Sequence, residues 1–156
     1  MKSLARKQPN PKIIAVGALV LLLVVIISAC TMMHQPETKV VKKFYTYEQN
    51  REFWHSYDLF HSQMKERFSR DGYVQDRDHI FVEHFGVSTY DLEIGSSNKL
   101  SEWQMSENHE PLAPVYQVPV TKTYNSSYGV FSIHQDVFVA KEDNEWRLLW
   151  SYNYEE

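Results

Sequence analysis

The chain has 156 residues, 43% hydrophobic and 14% aromatic, with a formal charge of −4. That is enough apolar material for one domain with a real core plus a short extra segment, and too much for a disordered chain. The acidic balance argues against nucleic acid as a partner, and the single cysteine excludes an internal disulfide framework and any cysteine-only zinc site.

The extra segment is N-terminal. Lys2, Arg6, Lys7 and Lys12 form a basic stretch without acids, and Ile13 to Ile27 follow as an apolar run. Ser28, Ala29 and Cys30 come next. Charged, apolar and small-residue regions in this order are the layout of a bacterial secretory signal. Ile27-Ser28-Ala29-Cys30 looks like a lipobox, at which lipoprotein precursors are diacylated on cysteine and cut just before it. The alternative is a signal anchor that is never cut, since Ile13 to Met33 is long enough to span a bilayer. Both readings put the rest of the chain outside the cytoplasm, because the positive charges stay inside. Residues 1–29 are thus expected to be a signal peptide or membrane anchor, 30–38 a tether, and 39–156 a single domain.

Four bases and no acids lie in residues 1–29, so twelve bases remain against the same twenty acids, a charge of −8. Most of this excess lies in residues 87–156 and reads as a solvated acidic surface.

After the tether, Val40, Val41, Phe44 and Tyr47 recur at helical spacing. Phe53, Tyr57, Phe60, Met64 and Phe68 form a second stripe, which Asn50 could cap and Asp71-Gly72 would end. A third helix is expected over 75–85, with Ile80, Phe81 and Phe85 inward and Gly86 as its stop. Strands are then expected over 88–94, 99–105, 115–124, 130–140 and 145–154. Gly95 to Asn98, Asn125 to Gly129 and Glu142 to Asn144 read as their turns. Helices followed by consecutive antiparallel strands make an α+β fold: three N-terminal helices packed on a curved sheet.

Three stretches carry a family resemblance. Lys43-Phe44-Tyr45 to Phe60, Asp76 to Val87, and the closing run from Phe138 through Lys141-Glu142-Asp143 to Trp146-Arg147-Leu148-Leu149-Trp150 are similar to the opening helices, third helix and last hairpin of one family. The chain resembles the nuclear-transport-factor-2-like superfamily, and within it the N-terminal domain of methicillin-resistance-type penicillin-binding proteins. The match covers roughly residues 38–154. It implies a cone-like fold standing alone on a tether, without the transpeptidase that follows this domain in those proteins. The fold hosts enzymes, binding modules and scaffolds alike, so it leaves function open.

Candidate chemistry is sparse. Ser62-Gln63-Met64-Lys65 fits the Ser-x-x-Lys string of penicillin-recognising enzymes, but Lys122-Thr123 is followed by Tyr124 rather than glycine, and Met64 belongs to the core stripe. No two histidines have zincin spacing, and no metal or cofactor is expected. Enzymes of the resembled superfamily place a carboxylate or a His–Asp pair inside the cone, which makes His84 and the pair His134 and Asp136 the candidate pocket residues. Against that, Phe131, Ile133, Val137 and Val139 make the opposite face of that strand the better core face. Trp103, in a short polar strand beside a loop, is the candidate partner contact.

The expectation is therefore a non-catalytic lipoprotein, acylated at Cys30, on the outer face of the cytoplasmic membrane. It would act as an interaction or scaffold module for an envelope protein, with a homodimer through the sheet as a candidate assembly. The alternatives are a small-molecule-binding protein, less readily an enzyme, that uses the cone's interior, or a signal-anchored subunit of a membrane complex.

Overall fold

The computed structural model describes residues 16–23, 35–79, 87 and 89–152. The chain falls into two compact units, Met1–Gln35 and Pro36–Glu156. In the first, helix α1 covers 16–23, and Leu19 to Leu23 are exposed. Among the described residues no helix is long and apolar enough to cross a membrane. Cys30 lies outside the described residues.

Among the described residues, the second unit is a mixed α+β fold of four helices and one antiparallel five-stranded sheet. Its helices are α2 (Pro36–Gln49), α3 (Phe53–Asp58), α4 (Ser62–Arg67) and α5 (Arg70–His79). Its strands are β1 (Asp91–Ile94), β2 (Asn98–Leu100), β3 (Val115–Ser126), β4 (Gly129–Glu142) and β5 (Glu145–Leu149).

Helix α2 buries Val41, Phe44, Tyr45 and Glu48, whose spacing of three and four places them on one face. Tyr47, expected inward, is half-buried and stacks on His55 at 5.0 Å. The stripe from Phe53 to Phe68 is not one helix. It breaks between α3 and α4, where the chain trades helical hydrogen bonds for a short parallel bridge between Phe60 and Leu148. There His61 N–H donates to the Leu148 carbonyl at 3.0 Å, and Leu148 N–H to the Leu59 carbonyl at 2.9 Å. Phe60 and Met64 keep their inward positions, so the apolar period survives the break. Asp71-Gly72 is not a breaker either. It lies in the first turn of α5, where the Ser69 hydroxyl accepts the Gly72 N–H at 3.2 Å. The third helix therefore starts at Arg70 rather than 75. Ile80, Phe81, Phe85 and Gly86 lie outside the described residues.

The strand order is β1-β3-β4-β5, with β2 pairing beside β1 on β3. The sheet is built on the long β3–β4 hairpin, in which Val118 pairs with Val137, Lys122 with Ile133 and Ser126 with Gly129. Its two-residue turn ends on Gly129 at φ +110°, a conformation that favours glycine. The β4–β5 turn uses Asp143 and Asn144 at φ +50° and +64°, which matches strand twist in a two-residue hairpin.

Strand alternation decides the inner face. Val118, Val120, Lys122 and Tyr124 of β3 are buried, with Val137 and Val139 of β4 and Leu148 of β5. Helix α2 packs on β1, β3, β4 and β5. At the end of the sheet near β5, Phe44, Phe60 and Trp150 meet edge to face at 5.1 to 6.1 Å, and Phe60 meets Tyr73 at 5.1 Å. The segment 101–114 covers the other face there, and Trp103 stacks on Phe138 with ring centroids 4.0 Å apart. Val137 to Ala140 are consequently buried on both sides.

Candidate functional site

The buried residues include charge. Glu48, on the core face of α2, has a side chain with no exposure. Its Oε1 accepts from Ser56 Oγ at 3.2 Å and Arg77 Nε at 3.2 Å, and also from Tyr73 Oη. Its Oε2 accepts from Arg77 Nη2. Helices α2, α3 and α5 each supply a member of this set. Both carboxylate oxygens are occupied, as a buried charge requires. The Arg77 guanidinium also lies 5.7 Å from the ring centroids of Tyr73 and Trp150. Burial opposes its charge, but the facing Glu48 carboxylate wins and holds Arg77 firmly protonated. Burial also raises the Tyr73 hydroxyl well above the ordinary tyrosine range, with Glu48 adding to the shift.

Lys122 lies next to this cluster, on the inner face of β3. It is 5% exposed, and among the described residues its ammonium has no hydrogen-bond or ion-pair partner. It sits over the Tyr45 ring at 5.5 Å from the centroid. Burial pulls its pKa down to about 8, and Arg77 acts in the same direction. Tyr45 is fully buried, and its hydroxyl has no hydrogen-bond partner among the described residues. Tyr90 meets the Tyr45 ring at 6.5 Å and the Tyr124 ring at 5.3 Å. Burial raises the hydroxyls of Tyr45 and Tyr90 far above the ordinary value, and that of Tyr124 to about 12. All three are neutral hydrogen-bonding groups at physiological pH.

A second polar cluster joins α4 to the β4–β5 turn. The His61 ring caps α4 by accepting the Gln63 N–H at 3.3 Å, and Ser62 N–H donates to both Glu142 oxygens at 3.2 Å. Burial lowers the His61 pKa. Lys65 donates to the Asp58 carbonyl at 3.3 Å, while the Ser62 hydroxyl lies 3.5 Å from His61. The Ser-x-x-Lys string thus does not bring its serine and lysine together.

The sequence-derived pocket residues are not gathered in the interior. His134 and Asp136 are exposed on the outer face, because Val137 and Val139 take the inner one. His134 bonds across to Thr121 at 2.9 Å, and Asp136 accepts from Gln117 at 2.7 Å. His84 lies outside the described residues. Trp103, expected to be exposed, is half-buried on Phe138. It and Asp136 border one open depression of about 730 Å³, together with Leu100, Gln117, Phe138 and Ser151. Among the described residues no group of three or more metal-ligating side chains comes together.

Sequence reasoning missed Glu48, Arg77, Lys122, Tyr45 and Tyr90. A signal existed for Lys122: it continues the alternation Val118, Val120, Lys122, Tyr124, so a lysine falls on a core position. Glu48 likewise follows Phe44 by four on the apolar face of its helix. No family model matches the chain, and no curated protein matches its sequence.

Proposed function

We propose that the chain is a non-catalytic, membrane-tethered interaction module of the bacterial cell envelope. In this reading Cys30 is diacylated after removal of residues 1–29, and the domain stands on the outer face of the cytoplasmic membrane. Its helices and curved sheet form the cone of the nuclear-transport-factor-2-like superfamily, which the closing hairpin from Phe138 to Trp150 resembles. The observation that carries the interaction role is the outer sheet face. There an aromatic shelf, Trp103 on Phe138, adjoins Gln117 and Asp136 in an open depression. Stacked aromatics beside amide and carboxylate groups are the composition of a contact surface.

The test is site-specific photocrosslinking in native membranes. A crosslinker at Asp136 is expected to give a discrete adduct with an envelope protein, and one at exposed Asn125 none. Equal labelling at both positions, or none at either, would contradict the reading. Intact mass from the same membranes reads the tether. Loss of residues 1–29 with gain of a diacylglycerol, abolished by Cys30→Ser, supports the lipoprotein. An unprocessed mass supports the signal-anchored alternative.

A second reading, ligand binding inside the fold, is favoured by two neighbouring groups of the inner face: Lys122, which has no hydrogen-bond or ion-pair partner among the described residues, and the buried Tyr45 Oη, which has none there either.

A further inference from the structure

We propose that the inner face of the sheet binds a small monocarboxylate, held between the Lys122 ammonium and the Tyr45 hydroxyl. The proposal rests on the second reading above and adds the ligand's chemistry.

The argument begins with charge. Three charged side chains meet in this part of the core: Glu48 from α2, Arg77 from α5 and Lys122 from β3. The Glu48 carboxylate is saturated by Arg77, Tyr73 and Ser56. Among the described residues one carboxylate is thus matched by one guanidinium, and Lys122 is the surplus cation. Lys122 is 5% exposed, so its ammonium keeps little of its hydration, a cost that an anionic ligand would offset.

The surplus is a single positive charge, so the fitting ligand is a monoanion rather than a cation or a dianion. Lys122 lies over the ring of Tyr45, whose buried hydroxyl has no hydrogen-bond partner among the described residues and can donate to an oxygen. A carboxylate offers two oxygens, one for each group. The surroundings are the rings of Tyr45, Tyr90 and Tyr124, suited to an apolar body behind the carboxylate. The inner face is also not sealed beside Lys122. Ile133, its cross-strand partner on β4, is 37% exposed, whereas Val137 and Val139 further along are fully buried. The site is separate from the outer depression, which lies across the sheet.

The experiment is calorimetric titration of the full chain in detergent with benzoate and propionate, using benzyl alcohol and benzylamine as uncharged and cationic controls. Saturable binding of a carboxylate is expected. It should weaken at least about tenfold in Lys122→Met and several-fold in Tyr45→Phe. In the unmodified chain the affinity should fall as pH rises through about 8, where Lys122 loses its proton. Of the other groups that face the site, Arg77 is held protonated by Glu48, and burial keeps the hydroxyls of Tyr45, Tyr90 and Tyr124 neutral through that range. This pH readout needs no variant, so a misfolded Lys122→Met leaves the test intact. Binding of benzyl alcohol or benzylamine in place of the carboxylates would overturn the carboxylate assignment and keep an interior site. No binding of any of the four would overturn both.

Discussion

The two ends of the same buried cluster treat charge in opposite ways. Around Glu48, two helices contribute donors, Ser56 from α3 and Tyr73 and Arg77 from α5, and both carboxylate oxygens are occupied. Lys122 lies over the Tyr45 ring, and neither its ammonium nor the Tyr45 hydroxyl has a hydrogen-bond partner among the described residues. The first arrangement ties α2, α3 and α5 together and is complete within the chain. The second costs stability and completes nothing within the fold. The same core thus meets one buried charge fully and leaves its neighbour without a partner among the described residues.

That contrast is open to breakage from either side. The largest effect is expected at Glu48. Glu48→Ala removes the carboxylate that accepts from Arg77, Tyr73 and Ser56 and should cost about 3–5 kcal/mol in denaturant unfolding. A loss under about 1 kcal/mol would mean that the cluster is not structural.

The next effect belongs to Lys122 and appears in pH. Its pKa is about 8 folded against the ordinary 10.5. Between those values the unfolded chain binds more protons than the folded one, so stability rises with pH. The Lys122 contribution should be about 2 kcal/mol between pH 8 and 10, read as the difference from Lys122→Met. Above pH 10 the sign reverses. The raised hydroxyls of Tyr45, Tyr73 and Tyr90 stay protonated in the fold while unfolded tyrosines ionise.

Lys122→Met itself sharpens the comparison at neutral pH. It should stabilise the domain by about 1 kcal/mol, since an apolar side chain of similar length replaces an unpaired charge. A structural lysine would give a loss instead. His61→Ala, which removes the cap of α4, should cost about 1 kcal/mol in thermal unfolding. At the outer face, Thr121→Val breaks the exposed bond to His134 and should change stability by less than about 0.5 kcal/mol.

Much of the fold was legible because its cues are local. The β3–β4 and β4–β5 hairpins carry turn residues at Gly129 and at Asp143-Asn144, and their alternation orients Val137 and Val139 inward. The same alternation already argued against an interior site at His134 and Asp136. The break between α3 and α4 was not legible. Phe60 and Met64 keep helical spacing, and the bonds that interrupt the helix come from Leu148 at the far end of the chain. The start of α5 was missed for a related reason: Asp71-Gly72 reads as a breaker until Ser69 is seen capping the helix. The charge cluster depends on three helices meeting β3, which no local pattern records. Lys122 and Glu48 could have been flagged singly, each as the polar member of an inward-facing series.

The most direct measurement is a site-resolved titration of Lys122 by NMR in the full chain with labelled lysine, its signal assigned through Lys122→Met. The account predicts a pKa near 8 that moves upward when benzoate is added, because the bound anion favours the charged ammonium. A value at the ordinary 10.5, indifferent to carboxylate, would mean that Lys122 is neither desolvated nor awaiting a ligand, and would contradict it.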